Sequence, residues 1–322
     1  MLSDDALVTV IMPAYNAERY IENAIRSILN QTYENIELLV GIDGCTDRTI
    51  QVVKSFDDSR LRVFEWRKNL GNVYTCNRLF QSSNGAFIAI QDADDWSAAD
   101  RIRHQIGFLQ RNTDVGLVGT GAFRTDPSGR ILNVVSYPED DSAIQQYLQS
   151  GKEPCFVCAS VMVKTQVYHE IGGYRIFFNG IGAADYDWVY RISEKYRLAN
   201  IAQPLYYNRR HLTSFTKSFN KNPLKRISPV IAFDFYKQRL TYGYDFLSTH
   251  LEKDLQAYLL EHTRTYRKNP SLVYTEHANY LYGSKMYGSA VKYTFKGILK
   301  NPFSRANYMN LVHYIKKAME NE

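Results

Sequence analysis

The chain lacks most of the features that would assign it to a large class at once. Four cysteines in 322 residues are too few for a disulfide framework and fit a reducing cytoplasm. Two of them form Cys155-Phe156-Val157-Cys158, but no second pair completes a zinc site. The run Cys155 to Val163 reads as a buried strand, on which the two thiols point to opposite faces as small buried residues. No stretch reaches the roughly 18 uninterrupted apolar residues of a spanning helix. The acidic start, Met1-Leu2-Ser3-Asp4-Asp5, leads straight into a strand pattern and does not read as a signal peptide. No Gly-x-Gly-x-x-Gly follows the first strand, which argues against a dinucleotide-dependent oxidoreductase. Repeats and low-complexity tracts are missing as well.

What is present is an ordinary globular composition, 45% hydrophobic and 22% charged, long enough for two domains. The net charge of +6 is unevenly spread. Residues 1–208 carry 20 Lys+Arg against 25 Asp+Glu, and residues 209–322 carry 19 against 8. A basic tail on a mildly acidic body suggests an anionic partner; a solvated helical face is the alternative.

The first half alternates strand and helix patterns. Val8 to Met12 is a strand, and Tyr20, Ile21, Ala24, Ile25, Ile28 and Leu29 recur on one helix face. Ile36 to Ile42 is a strand apolar on both faces, and Thr46 can cap the helix holding Ile50, Val52 and Val53. Leu61 to Trp66, a helix around Cys76, Leu79 and Phe80, and Ala86 to Ile90 continue the rhythm. Such alternation predicts a mostly parallel, Rossmann-like α/β sheet sandwiched by helices. Val115 to Arg124 and Ile131 to Ser136 flank the turn Asp126-Pro127-Ser128-Gly129 and predict a hairpin. Asp185 to Arg197 suits a helix, and from about residue 216 only helical patterns remain, at 228–247, 251–268, 277–299 and 303–319. The division expected is 1–215 and a basic helical region 216–322.

Ligands of open parallel sheets bind beyond the carboxyl ends of the strands. Three such ends read Pro13-Ala14-Tyr15-Asn16, Asp43-Gly44-Cys45-Thr46-Asp47 and Gln91-Asp92-Ala93-Asp94-Asp95. Three carboxylates within four residues repel one another unless a cation compensates, and hard oxygen donors suit Mg²⁺ or Mn²⁺. A solvated acidic turn is the other reading.

Taken in order, Val8 to Asn16, Ser27-Ile28-Leu29-Asn30-Gln31-Thr32-Tyr33, Asp43 to Asp47, Gly85, Asp92 to Asp95, Ile171-Gly172-Gly173-Tyr174 and Ala184-Asp185-Tyr186-Asp187-Trp188 resemble the family-2 inverting glycosyltransferases, which have the A-type nucleotide-sugar fold. The likeness covers roughly residues 7–215. It implies a donor nucleotide site of Pro13, Ala14, Tyr15, Asn16, Asp43, Asn69, Asn72, Asp92 and Arg210, with Tyr15 stacked on the base. It implies a divalent ion on Asp94, with His211 as a further ligand, and Asp185 as the base that deprotonates the acceptor hydroxyl. Asp187 is the rival for that role, and Arg209-Arg210-His211 with Ser214 resembles the family's closing loop. Two positions depart from the pattern: Ile42 and Ala184 stand where the family usually has acids.

The implied reaction is transfer from a nucleotide-sugar, favouring UDP, to a glycan or lipid-linked glycan acceptor in lipopolysaccharide, capsule or exopolysaccharide synthesis. An inactive nucleotide-sugar-binding scaffold is the alternative, against which the retained acids argue. No Gln-x-x-Arg-Trp signature of processive synthases is present. In the tail, Lys285, Lys292, Lys296, Lys300, Arg305, Lys316 and Lys317 interleave with Tyr287, Tyr293, Phe295, Ile298, Leu299 and Phe303. That suits an anionic membrane surface, on a cytoplasmic protein peripheral to the inner face of the plasma membrane. Packing on the body or a homodimer contact is the alternative, and nucleic acid is disfavoured because no binding motif accompanies the charge.

Overall fold

The computed structural model of the chain describes residues 5–151, 155–211, 219–248 and 251–320. It divides into two compact units, Met1–Ser214 with Ala232–Lys237, and Phe215–Ile231 with Gln238–Glu322.

In the first unit β1 (Val8–Ala14), α1 (Ile21–Leu29), β2 (Ile36–Asp43), α2 (Thr49–Lys54), β3 (Leu61–Trp66), α3 (Asn72–Gln81) and β4 (Phe87–Ile90) alternate as expected. The four strands lie in the order 3-2-1-4, all parallel. Because side chains alternate along a strand, Val8, Val10 and Met12 join Leu38, Val40 and Ile42 on one face, packed with Ile21, Ala24, Ile25 and Ile28 of α1. The other face takes α3. A Cβ on Gly41 would stand 2.6 Å from Thr75 Cγ2 and 3.3 Å from Leu79 Cδ1, so the missing side chain is what lets α3 approach β2. Gly85 answers a similar constraint, since a Cβ there would lie 2.6 Å from the backbone nitrogen of Thr9.

Beyond β4 come β5 (Trp96–Ser97), α4 (Arg101–Arg111), β6 (Val115–Thr125), β7 (Ile131–Val135), α5 (Asp141–Gln149), β8 (Met162–Lys164), α6 (Thr165–Ile171), α7 (Ala184–Ser193) and β9 (Arg197–Arg209). The sheet runs β3-β2-β1-β4-β8-β6-β9-β5, with β7 paired to β6 as the expected hairpin. Parallel pairing returns between β6 and β9, while β8, β7 and β5 join antiparallel. The nine-stranded sheet is therefore mixed outside its parallel core.

Three local expectations need correction. Cys155 to Val163 is not one strand: Cys158–Ser160 forms a 3-10 turn and only Met162–Lys164 pairs. Buried side chains replace the ladder there, with the Ser160 hydroxyl accepting the Thr120 N–H at 3.2 Å and the Gln105 amide donating to the Ser160 carbonyl at 2.7 Å. The helix expected to reach Arg197 stops at Ser193, because Arg197 already opens the long strand β9. Thr46 does not cap α2. Its N–H is held by Asn16 instead, and Asp47 accepts the Thr49 N–H at 3.0 Å.

The second unit contains the flanks of α8 (Leu224–Tyr242), then α9 (Glu252–His262), α10 (Arg264–Lys268), α11 (Leu272–Gly283), α12 (Tyr287–Lys300) and α13 (Arg305–Met319). The single helix expected over 277–299 is two helices, broken where Lys285 adopts a left-handed φ of 60°. Ala278, Leu281, Ala290 and Tyr314 form a small core of their own. Ile298, expected among the tail's outward residues, is buried. Among the described residues no helix is long and apolar enough to cross a membrane.

The Gly41 contact is open to test. Gly41→Val should force α3 away from β2 and cost about 1–3 kcal/mol in urea denaturation.

Candidate functional site

The carboxyl ends of β1, β2 and β4 lie side by side, and each loop there is tied to the next. Asn16, at a left-handed φ of 48°, accepts the Thr46 N–H through its side-chain oxygen at 2.8 Å and joins the loops after β1 and β2. Asp43 is buried at the end of β2. Its two oxygens accept the N–H groups of Leu70 and Gly71, at 2.7 and 2.9 Å. Asn179 completes this clamp by donating to the Leu70 carbonyl at 2.7 Å. Gly44 is needed beneath it, because a Cβ would lie 2.3 Å from the Asn69 nitrogen. Asn69 and Asn72 are exposed, and the Asn72 side-chain oxygen accepts the Cys76 thiol at 3.6 Å. Pro13 and Ala14 end β1, and Tyr15, 51% exposed, follows with its ring accessible.

The three acids after β4 have carboxylate oxygens within 4.8 Å of one another. They are not equivalent. Asp95 is buried and accepts the Arg209 N–H at 2.6 Å and the Asn208 amide at 3.0 Å, which fixes the end of β9 against this loop. Asp94 is partly exposed, and its Oδ2 lies 2.7 Å from His211 Nε2. Arg209 holds the pair in place. Its Nε donates to the Asp94 carbonyl at 2.9 Å and its Nη1 to the Pro127 carbonyl at 2.8 Å. The guanidinium sits 4.6 Å from the ring centroids of both Tyr20 and Trp96, a favourable cation–π setting. The Arg210 N–H donates to Thr125 at 2.8 Å, while its side chain is exposed at the rim. Ser214 lies outside the described residues.

Beneath the acids, Arg101 is wholly buried and donates to neutral oxygens: Gln91 Oε1 at 3.1 Å, Ser97 Oγ at 2.8 Å, the Ile90 carbonyl at 2.8 Å and Gln105 Oε1 at 2.9 Å. The Tyr206 hydroxyl accepts the Asp92 N–H at 3.1 Å. Burial, then the charges of Asp94 and Asp185, push Asp92 up to about 7, against the opposing pull of Arg101. Burial, then Asp94 and Asp92, raise Asp95 well above the usual carboxylate range. The cluster is short of positive charge. Hard oxygens around an acid–imidazole pair are a donor set that a divalent cation fits.

Asp185 stands in the first turn of α7, which Ala183 enters at a left-handed φ of 62°. Its carboxylate accepts the Tyr186 N–H at 3.0 Å, and burial, then the Asp185 charge, push the Cys158 thiol well up. The neighbouring Asp187 has a different environment. It is wholly buried between Arg175 and Arg191, whose Nε atoms donate to it at 2.9 and 3.0 Å. Arg191 also reaches the carbonyls of Ile171 and Gly173, and Trp188 that of Gly172, so the Ile171–Tyr174 stretch braces α7. Asp187 is thereby a structural anchor.

The structure thus gathers Asp92, Asp94, His211 and Asp185 around one site, with Tyr15, Asn16, Asp43, Asn69 and Asn72 on the adjoining strand ends. Sequence reasoning missed Arg209, Cys158 and Asn179. Arg209 was visible only as one of two adjacent arginines in the closing-loop motif and Cys158 only as a small buried residue of the Cys155–Cys158 pair, while nothing marked Asn179.

An α/β sheet with an acid cluster just beyond the carboxyl ends of its parallel strands is the setting in which open sheets bind their ligands. The chain belongs to glycosyl transferase family 2, whose model matches residues 9–172, and it is a glycosyltransferase. It is 30% identical over 218 residues to EpsE of Bacillus subtilis (strain 168), named as a glycosyltransferase, across 65% of this chain and 75% of that protein. It is 40% identical over 109 residues to WfgD of Escherichia coli, named a UDP-Glc:alpha-D-GlcNAc-diphosphoundecaprenol beta-1,3-glucosyltransferase; that match covers 34% of this chain and 43% of WfgD. The crystal structure of S. aureus TarS 1-349 in complex with UDP-GlcNAc has the same fold, with a TM-score of 0.60 at 16% identity, over 98% of this chain and 92% of that one.

Two predictions separate the acids. Asp187→Ala removes the buried carboxylate shared by the partly buried Arg175 and Arg191 and should cost about 3–5 kcal/mol in denaturant titration, whereas Asp185→Asn should change stability by less than about 1 kcal/mol. Asp92 titrates higher folded than unfolded, so its favourable contribution is present below the ordinary Asp pKa and lost as pH rises through about 7. Without added metal, the melting-temperature gain of Asp92→Asn should widen from about pH 5 to about pH 8, reaching a few degrees.

Proposed function

We infer that this glycosyltransferase moves a sugar from a UDP-sugar to an acceptor hydroxyl with inversion at the anomeric carbon, aided by Mn²⁺ or Mg²⁺. The acceptor is a glycan or lipid-linked glycan of surface polysaccharide synthesis, handled at the cytoplasmic face of the membrane. The single observation that carries the reading is the convergence of Asp92, Asp94, His211 and Asp185, with the open ring of Tyr15 on the neighbouring strand end. UDP in the TarS complex and in the name of WfgD supports the nucleotide assignment.

In this reading Tyr15 stacks on the base. The Asp43 clamp shapes the loop beside the base, and each Asp43 oxygen keeps a second lone pair for the donor. Asp92 faces the ribose, and Arg210 reaches the diphosphate from the rim. Asp94 and His211 hold the divalent ion, which when bound supplies charge neutralisation for the leaving diphosphate. The acceptor oxygen attacks the anomeric carbon opposite the leaving group, and the bond to the diphosphate oxygen breaks with its electron pair. The acceptor proton passes to Asp185.

Asp185→Asn should keep donor affinity within about threefold and lower kcat by about 10³-fold or more, as expected for loss of a general base. Product analysis by NMR with a β-linked standard should show the inverted anomer from an α-linked donor. Unchanged turnover by Asp185→Asn, or a retained anomer, would overturn the mechanism.

A further inference from the structure

α12 and α13 each turn one side to the small core of their unit and the other to water. On α12 the inward residues are Ala290, Thr294, Gly297 and Ile298, and on α13 they are Asn307 and Tyr314. Opposite them run apolar stripes at helical spacing. Leu299 is 66% exposed, one turn beyond Phe295; Val312 and Met319 are 70% and 75% exposed, two turns apart on α13. Phe303, in the segment joining the two helices, is 95% exposed. Single exposed apolar residues are normal, but stripes on two successive helices, joined by an exposed phenylalanine, call for a partner.

The charge decides which partner. Residues 277–319 contain seven lysines and arginines and no aspartate or glutamate. Lys292, Lys296 and Lys300 lie on the outward half of α12, and Arg305 and Lys316 on that of α13, beside the apolar stripes. A second copy docked on the same face would set like charges against like, with no acid in either stretch to relieve them. A nucleic acid would pair with the cations but leave the Leu299, Phe303 and Val312 side chains in water. An anionic bilayer accepts both: the apolar side chains enter the headgroup–acyl boundary and the cations meet lipid phosphates, their long stems lying along the apolar surface.

We propose that the α12–α13 face is a peripheral docking surface for anionic lipid. The assignment is independent of the donor chemistry above, because none of its residues belongs to that site.

The test is co-sedimentation of the full chain with phosphatidylcholine vesicles and with vesicles containing phosphatidylglycerol, alongside light scattering of the lipid-free protein. The expected result is binding to the anionic vesicles only, weakened about tenfold or more in a Lys292→Gln, Lys296→Gln, Lys300→Gln variant and by raised salt. Leu299→Glu with Val312→Glu, both at exposed positions, should abolish binding while donor hydrolysis and circular dichroism stay as in the parent. Absence of binding to anionic vesicles, equal binding to both compositions, or undiminished binding by the Leu299→Glu, Val312→Glu variant would overturn the proposal. So would a parent dimer that this variant dissociates, since the face would then be a contact between copies.

Discussion

The site depends on how β9 is fastened to the loop after β4. Asp95 is the fastening: a buried carboxylate that takes the N–H of Arg209 and the amide of Asn208. A carboxylate so placed is costly unless its hydrogen bonds are made, and here both of its oxygens are used. Because Asp95 points inward to β9, Asp94 is turned toward His211, and Arg209 packs between Tyr20 and Trp96. One acid therefore serves the fold so that its neighbour is available for chemistry. The same division recurs on α7, where Asp187 is enclosed by two arginines and Asp185, two residues earlier, faces the site.

The energetic character of the site follows from that arrangement. Asp92 and Asp95 are both held above their ordinary range by burial and by neighbouring carboxylates, and Arg101 relieves Asp92 only in part from below. Such a charge deficit lowers stability in the free protein and is relieved when cations bind.

Much of this was legible in the sequence for reasons that can be named. Strands buried on both faces leave nearly unbroken apolar runs, so β1, β2 and β4, and the acids at the ends of β2 and β4, could be located from the sequence pattern alone. Roles within an acidic run could not. Asp92, Asp94 and Asp95 look alike in sequence, and only the return of β9 from more than 100 residues away distinguishes them. Cys158 failed for a related reason. An apolar stretch that is buried without pairing looks like a strand, and the thiol's place within the field of Asp185 follows from the turn that replaces it. The break at Lys285 was hidden because helical periodicity continues on both sides of a three-residue interruption.

We propose that the Asp94–His211 pair and its acidic neighbours bind a divalent ion and a diphosphate together. Electron paramagnetic resonance of Mn²⁺ titrated into the chain, with and without UDP, tests it directly. Mn²⁺ binding should tighten when UDP is present and be lost in Asp94→Ala. Mn²⁺ binding indifferent to UDP and to Asp94→Ala, or no binding in either condition, would contradict it.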